Sequence, residues 1–324
     1  MSGASDMRAV CDRLRTERLA AIAVHENPDM DAVGAAAGLI GLLSALGAQA
    51  HLHVDSDVVL PRCDFFLALG DVVTGPPPPG ATLYALDSGS LERTALRLDG
   101  WQGDIVTIDH HHDSRRFGLI NLVMPEASSV SEIVCLLAAE LGVGFSPAAA
   151  TGLYAGISFD SGHFRHATTS ALTFRCAAAL VEAGADPTSV YRELYEQRSL
   201  ADVRLWARAV ERAVACAGGQ ALVSVLTLAD YDACGADDDS SEGVVESLRA
   251  IKGVLVAALV KEQRAGHRVR VSLRSAGWDV SSLAAEHGGG GHLQAAGFSS
   301  DDPPEEVAAW LSSVLAERLP TASS

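Results

Sequence analysis

Ala21-Ile22-Ala23-Val24-His25-Glu26-Asn27-Pro28-Asp29-Met30-Asp31 is an apolar run that breaks abruptly into imidazole and carboxylate. Four consecutive aliphatic residues read as a short buried strand, and Pro28 ends it, because proline lacks an amide donor and restricts the residue before it. The same transition recurs at Asp87, after the apolar stretch 82–86, and at Asp109-His110-His111-His112, after Ile105-Val106-Thr107-Ile108. Asp160 completes the series. Ligand-type side chains where buried runs give way to polar residues point to the carboxyl edge of a parallel sheet, where open α/β folds build their sites.

Working outward, apolar runs at 19–25, 51–54, 65–69, 82–86 and 104–108 read as strands with helical patterns between several of them, the βαβ logic of a largely parallel sheet. Gly75-Pro76-Pro77-Pro78-Pro79-Gly80 is a surface loop. Residues 128–141, 147–157 and 168–183 read as helices, stopped at Gly142 and Gly184. From 186 to 217 the chain reads as helical throughout, with Pro187 suited to a helix start. Strands are expected at 220–227, 254–260 and 269–274, with a helix between the first two and a final helix at 304–319. Asp237-Asp238-Asp239-Ser240-Ser241 reads as a solvated loop. The fold class is α/β: a parallel-sheet catalytic domain over 1–185, a helical connector over 186–217, and a smaller C-terminal α/β substrate-binding domain over 218–324.

Composition narrows the functional classes. A chain of 324 residues that is 48% hydrophobic buries a sizeable core and has room for two domains. With 24 Lys+Arg against 41 Asp+Glu, its formal charge of -17 opposes wrapping long nucleic acid, which rests on neutralising many phosphates. Six cysteines without a C-x-x-C pair fit reduced, mostly buried thiols and a cytoplasmic protein. Residues 1–19 carry both signs of charge and do not read as a signal peptide. The uncharged stretch 32–50 is nearly long enough to span a bilayer, but its Ala and Gly content after an Asp-rich motif reads as a buried helix covering a sheet, so no membrane role is expected.

The spacing His25-x-x-x-Asp29-x-Asp31 lets one loop aim three ligands without needing a helix, with the two carboxylates directed to neighbouring ions. A third aspartate must then bridge. Asp87 is preferred over its rival Asp71, because Ser88-Gly89-Ser90 gives close backbone access whereas Asp71 runs into the proline loop. Imidazole and carboxylate without thiolate suit Mn²⁺ better than structural zinc, with Mg²⁺ or Co²⁺ as possible substitutes. Two such ions about 3.5 to 4 Å apart clamp and activate a hydroxide for in-line attack on phosphorus. The reaction class is metal-assisted phosphoester hydrolysis.

The order His-x-x-x-Asp-x-Asp, Asp, Asp-His-His, Asp resembles the DHH phosphoesterase superfamily, over the whole chain. Gly288-Gly289-Gly290-Gly291-His292-Leu293-Gln294-Ala295-Ala296-Gly297-Phe298 is similar to the glycine-rich signature of the domain that accompanies DHH in oligoribonuclease/3′-phosphoadenosine 5′-phosphate phosphatases, RecJ nucleases and cyclic-dinucleotide phosphodiesterases. The resemblance implies that His25, Asp29 and Asp87 hold one Mn²⁺ and that Asp31, Asp87, His110 and Asp160 hold the other. It implies that His111 sits beside the reacting phosphate, that Asp109 orients imidazoles, and that the chain is a homodimer. Met30 and Ala35 depart from the usual pattern, and His112 leaves open a register in which His111 and His112 are the functional pair.

Gly288, Gly289, Gly290, Gly291 and His292 are expected to admit a phosphate to backbone amides, especially at a helix N-terminus. Arg274 is the preferred phosphate contact for its planar fork, with Arg270 on the same strand face a weaker one. His163, His166 and Arg93 either line the pocket or are solvated surface. The leading expectation is hydrolysis of short oligonucleotides, linear dinucleotides such as pApA, and 3′-phosphoadenosine 5′-phosphate. A RecJ-like single-strand exonuclease and a cyclic-dinucleotide phosphodiesterase are the enzymatic alternatives. A nucleotide-binding protein that retains the fold is the non-enzymatic one, and no ligand of the set is missing to favour it.

Overall fold

In the computed structural model, residues 2–61, 70, 72–98 and 101–319 are described. The expected strand at 65–69, Cys63 and the rival bridging residue Asp71 lie outside them. The chain divides into two compact units, Met1–Gln197 and Arg198–Ser324.

The first unit runs α1 (Ser2–Thr16), β1 (Leu19–Ala23), α2 (Met30–Ala45), β2 (Gln49–Val54), β3 (Val73–Thr74), β4 (Thr82–Leu86), β5 (Ile105–Asp109), β6 (Ile120–Val123), α3 (Val130–Leu141), α4 (Pro147–Asp160), α5 (Ala171–Glu182) and α6 (Pro187–Tyr195). Its six strands form one parallel sheet in the order β3-β2-β1-β4-β5-β6. β4 is buried at every position and β1 at all but its first, as a sheet covered on both faces requires. Chain order reverses between β1 and β4, and in such sheets the crevice outside the strand ends at the reversal is the place for a ligand.

Helix α2 is apolar on nearly all sides and packs on α4 through small residues. A Cβ on Gly34 would lie 2.3 Å from the Gly152 carbonyl oxygen, and one on Gly38 would lie 2.3 Å from the Leu153 side chain. Gly34→Ala therefore sets a helix-propensity gain of about 1 kcal/mol against a clash with backbone that cannot turn aside. Overpacking of this kind costs about 1–3 kcal/mol, and because the obstacle is a carbonyl we expect the upper end. The midpoint of thermal unfolding should fall by about 4–8 °C; an unchanged midpoint would show that α2 and α4 can separate freely.

Several boundaries differ from the sequence expectation. Asp31 is not on a loop: it sits in the first turn of α2, and Asp29 is that helix's N-cap. Asp160 is not at a strand end but is the last residue of α4, which runs three residues past the expected stop. The stretch 186–217 is helical in α6 and α7 (Leu200–Glu211) but then turns into β7 (Val214–Cys216), an edge strand antiparallel to β8 (Ala221–Leu226).

The second unit continues with α8 (Leu228–Cys234), α9 (Val244–Arg249), β9 (Val256–Glu262), β10 (Val269–Ser275), α10 (Val280–Ala285), β11 (Gly290–His292), β12 (Ala295–Ser300) and α11 (Pro304–Arg318). Its mixed sheet has the order β11-β12-β10-β9-β8-β7, with only β8 and β9 parallel. Val269, Val271 and Leu273 of β10 enter the core shared with α10 and α11, which puts Arg270, Ser272 and Arg274 on the other face. The acidic run 237–241 is only partly solvated, since Ser240 and Ser241 are buried and Asp237 accepts from the Ser240 amide at 3.0 Å. The five described cysteines are free thiols, and all but Cys216 are buried. No helix among the described residues is long and apolar enough to cross a membrane.

Candidate metal centre

β1, β4 and β5 deliver the first half of the site from their carboxyl ends. His25 follows β1 and is held by an isolated bridge to Thr94. Asp87 follows β4 with φ of 52°, a left-handed conformation that a non-glycine residue seldom takes and that tends to accompany function. Asp109 ends β5, and His110 and His111 follow it.

Asp29 Oδ1 accepts from the amides of Asp31 and Ala32 at 2.9 and 3.0 Å, so capping α2 fixes its carboxylate. Asp31 is fully buried; its two oxygens accept from Val130 N at 2.7 Å and Ser131 N at 3.0 Å, the first amides of α3. His110 Nδ1 lies 3.3 Å from the Ala127 carbonyl, which can only accept, so Nδ1 is the donor there and Nε2 is the ring nitrogen left to face the other ligand-type groups. His111 Nδ1 donates to Asp109 Oδ1 at 2.8 Å, and Asp109 Oδ1 also accepts the His110 and His111 amides.

Three overlapping groups result: His25, Asp29 and Asp87; Asp31, His110 and Asp160; and Asp87, His110 and His111, with ligand atoms within 4.8 Å of one another in each. Asp87 Oδ2 is 3.7 Å from His25 Nε2, and its Oδ1 is 3.6 Å from His110 Nε2 and 3.5 Å from His111 Nδ1. His110 Nε2 lies 3.3 Å from Asp160 Oδ2. The His111 nitrogen nearest Asp87 is the one that donates to Asp109, so an ion could bind there only by displacing that proton. His112 is exposed and belongs to none of the groups. His163 contacts Ser158 Oγ, and His166 contacts the Asp160 carbonyl, both through Nδ1 and both outside the groups.

Five carboxylates converge here, and among the described residues no lysine or arginine pairs with any of them. Burial, with Asp31, Asp29, Asp160 and Asp109 around it, pushes Asp87 well above the usual carboxylate range. Burial beside Asp31 and Asp29 raises Asp160 to about 8. Burial also raises Asp31 against the pull of His110 and of Ser131. Asp29 and Asp109 go the other way: burial works against ionisation, but His25 and the α2 amides hold Asp29 low, and His111 and Ser114 hold Asp109 low. The hydrogen bond to Asp109 raises His111, burial opposing it.

Asp87 Oδ1 and Asp109 Oδ2 are buried without a hydrogen-bond partner. An orphaned buried carboxylate oxygen needs either a proton or a cation. The donor set, oxygen and imidazole nitrogen with no thiolate, fits a divalent ion such as Mn²⁺ or Mg²⁺.

The supports of His110 and Asp31, in residues 127–131, were not anticipated from the sequence. Their signal was Ser129-Val130-Ser131-Glu132, a capping-box pattern at the start of an apolar helix.

In the second unit the glycine run lies after the C-terminus of α10, not at a helix N-terminus, and enters the β11–β12 hairpin. A Cβ at Gly289 would lie 2.1 Å from Gly297 O and one at Gly291 would lie 2.4 Å from Ala295 O, so those two glycines serve close strand approach. Gly288, with φ of 72°, and Gly290 face open space, as does exposed His292. Arg274 Nε donates to Glu246 Oε1 at 2.7 Å, and Arg270 is exposed against Ser299. Arg274 also lines a cavity of about 380 Å³ with Lys261 and Ser272.

Residues 20–157 match the N-terminal domain of the DHH family, and residues 202–318 match the DHHA1 domain. The bifunctional oligoribonuclease and PAP phosphatase NrnA of Thermus thermophilus is 33% identical over 297 residues, covering 90% of this chain and 87% of that protein. The Bacillus subtilis protein of the same name is 28% identical over 300 residues, covering 90% and 93%. The crystal structure of an exopolyphosphatase-related protein from Bacteroides fragilis superposes with a TM-score of 0.82 over 97% of this chain and 96% of that one, at 23% identity, a likeness of fold.

Proposed function

This chain belongs to the DHH family of phosphoesterases, and on that premise we propose that it hydrolyses short oligonucleotides, linear dinucleotides such as pApA, and 3′-phosphoadenosine 5′-phosphate with two Mn²⁺ ions. The observation that carries the reading is the sharing of Asp87, whose orphaned Oδ1 and opposite Oδ2 face different ligand groups. His25, Asp29 and Asp87 would hold one ion, and Asp31, Asp87, His110 and Asp160 the other. Such ions, when bound, supply the positive charge that neutralises phosphate and eases ionisation of the attacking water.

The chain's own groups do the rest. Asp109 holds the Nδ1 proton of His111 and keeps that ring cationic to higher pH than an isolated histidine, so His111 Nε2 can donate to the departing oxygen. Asp109 thereby acts through His111. Residues 1–185 are the catalytic domain in this proposal, 186–217 the connector, and 218–324 the substrate-binding domain. There Arg274, the Gly288 to Gly291 run and His292 contact the nucleotide; Arg274 would have to share its fork with Glu246. The reading includes a cytoplasmic homodimer.

The substrate class follows what the names of the NrnA relatives say of those proteins, together with the acidic balance that disfavours long nucleic acid. A panel in Mn²⁺ of pAp, pApA, a five-nucleotide RNA, long single-stranded DNA and pyrophosphate tests it. We expect the first three to be cleaved at least about tenfold faster than the last two, a difference of about 1.4 kcal/mol or more in barrier. Fast nucleotide release from long DNA would move the chain towards a single-strand exonuclease, and fast pyrophosphate cleavage would remove the nucleotide from the reading.

A further inference from the structure

Glu132, in the first turn of α3, has 2% of its surface exposed and no part in the three ligand groups. Its Oε2 accepts three hydrogen bonds: from Ser128 N at 3.1 Å, from Ser128 Oγ at 2.5 Å, and from Thr173 Oγ1 on α5 at 2.8 Å. Its own amide donates to the N-cap hydroxyl of Ser129 at 3.0 Å. In an ordinary capping box the glutamate would reach back to the N-cap amide; here it reaches one residue further and pins the turn that precedes the helix.

Two ligands of the proposed centre hang on that turn. Ala127, just before Ser128, offers the carbonyl that fixes the His110 tautomer, and Val130 and Ser131, just after Ser129, offer the amides that seat Asp31. Both ligands belong to the same group, with Asp160. We propose that Glu132 is a positioning residue for that group: by clamping Ser128 to α5 it holds the Ala127 carbonyl and the α3 amides in register, and so sets the affinity of the Asp31, His110 and Asp160 group for its divalent ion. Partners of ligands in this sense typically change metal affinity about 10–100-fold when removed.

This inference rests on the metal centre proposed above, and calorimetric titration with Mn²⁺ separates the two. Glu132→Gln keeps size and removes the charge, so the three hydrogen bonds to Oε2 lose their charge assistance even where the amide oxygen takes its place. Thr173→Val removes the α5 anchor alone. We expect Glu132→Gln to weaken one of two Mn²⁺ equivalents by about 10-fold or more and Thr173→Val by a smaller factor in the same equivalent. Tyr84→Phe loses a buried hydrogen bond to Glu17, away from this turn, and should leave both equivalents unchanged, so general loosening of the fold would show there. If Glu132→Gln does not fold, Thr173→Val decides. Unchanged Mn²⁺ affinity in the folded variants, or equal weakening in Tyr84→Phe, overturns the role of Glu132. A wild-type protein that takes up no divalent ion overturns the proposed centre instead.

Discussion

Asp87→Asn is expected to lower the Mn²⁺-dependent hydrolysis of pApA by at least about 1,000-fold while raising the thermal midpoint of the metal-free protein at alkaline pH. The two effects have one cause. Asp87 has 4% of its surface exposed, faces His25 on one oxygen and His110 and His111 on the other, and is surrounded by four more carboxylates. Burial and those neighbours make its charge unwelcome in the absence of a cation, which is the arrangement a bridging ligand needs. Asparagine keeps the volume and removes the charge. It also turns an amide donor or a weaker oxygen towards sites that a cation would require to be anionic. A 1,000-fold loss is about 4 kcal/mol of barrier, in proportion to a centre in which both ligand groups lose a member. Where pH is high enough to ionise Asp87 in the metal-free protein, relief of charge repulsion should raise the midpoint of the variant by about 2–5 °C over wild type, and where burial keeps that carboxyl protonated the two midpoints should agree. Activity within tenfold of wild type would remove Asp87 from the chemistry. A falling midpoint would mean that its carboxylate supports the fold.

The parallel sheet was legible because its strands are short, continuous apolar runs, and buried strands of that kind need no alternation to be read. His25, Asp87 and Asp109 were therefore placed at strand ends from residue order alone. Asp31 and Asp160 depart from expectation for different reasons: Asp29 caps α2 and so puts Asp31 inside the helix rather than on the loop, and α4 is so rich in Ala and Gly and so largely buried that no polar face marks its end. Once the close approach at Gly34 and Gly152 is known, the small residues make sense as what allows the two helices to touch and bring Asp31 towards Asp160. The β11–β12 hairpin was invisible, because Gly290-Gly291-His292 and Ala295-Ala296-Gly297 have poor strand propensity and pair only in the context of β10. The glycine run therefore suggests backbone room for a phosphate, whereas two of its glycines, Gly289 and Gly291, are explained by strand approach. Of the groups that hold Asp31 and His110, the first amides of α3 are marked by the capping-box pattern at 129–132, whereas the Ala127 carbonyl has no signature in a sequence.

Removing divalent ions should expose the same electrostatics as a stability that declines with rising pH. Asp160 is raised to about 8 by burial beside Asp31 and Asp29, far above the value of about 3.9 in an unfolded chain. Between those two values the folded protein binds a proton that the unfolded chain has released. The stabilisation is thus complete below about pH 4 and is lost as pH climbs towards 8. Asp87, also raised, adds to this with the same sign, and so does His111, whose raised value contributes stability below the histidine range that fades as it deprotonates. Asp29 and Asp109, held low, act in the opposite sense only as pH falls through the acid range, outside this window. A full unit of mismatch is worth about 1.4 kcal/mol, but the Asp160 side chain is 29% exposed and water screens part of it, so we expect about 2 kcal/mol between pH 5 and pH 8. For a unit of this size that is a fall of about 4–8 °C in the chelated protein. Saturating Mn²⁺ substitutes for the protons and should flatten the profile, so the stabilisation by metal must be larger at pH 8 than at pH 5. Thermal melts at the two pH values, with chelator and with Mn²⁺, measure it directly. Parallel profiles would mean that the carboxylates are compensated by some group other than a cation, and a chelated protein more stable at pH 8 than at pH 5 would reverse the assignment of Asp87 and Asp160 as protonated in the absence of metal.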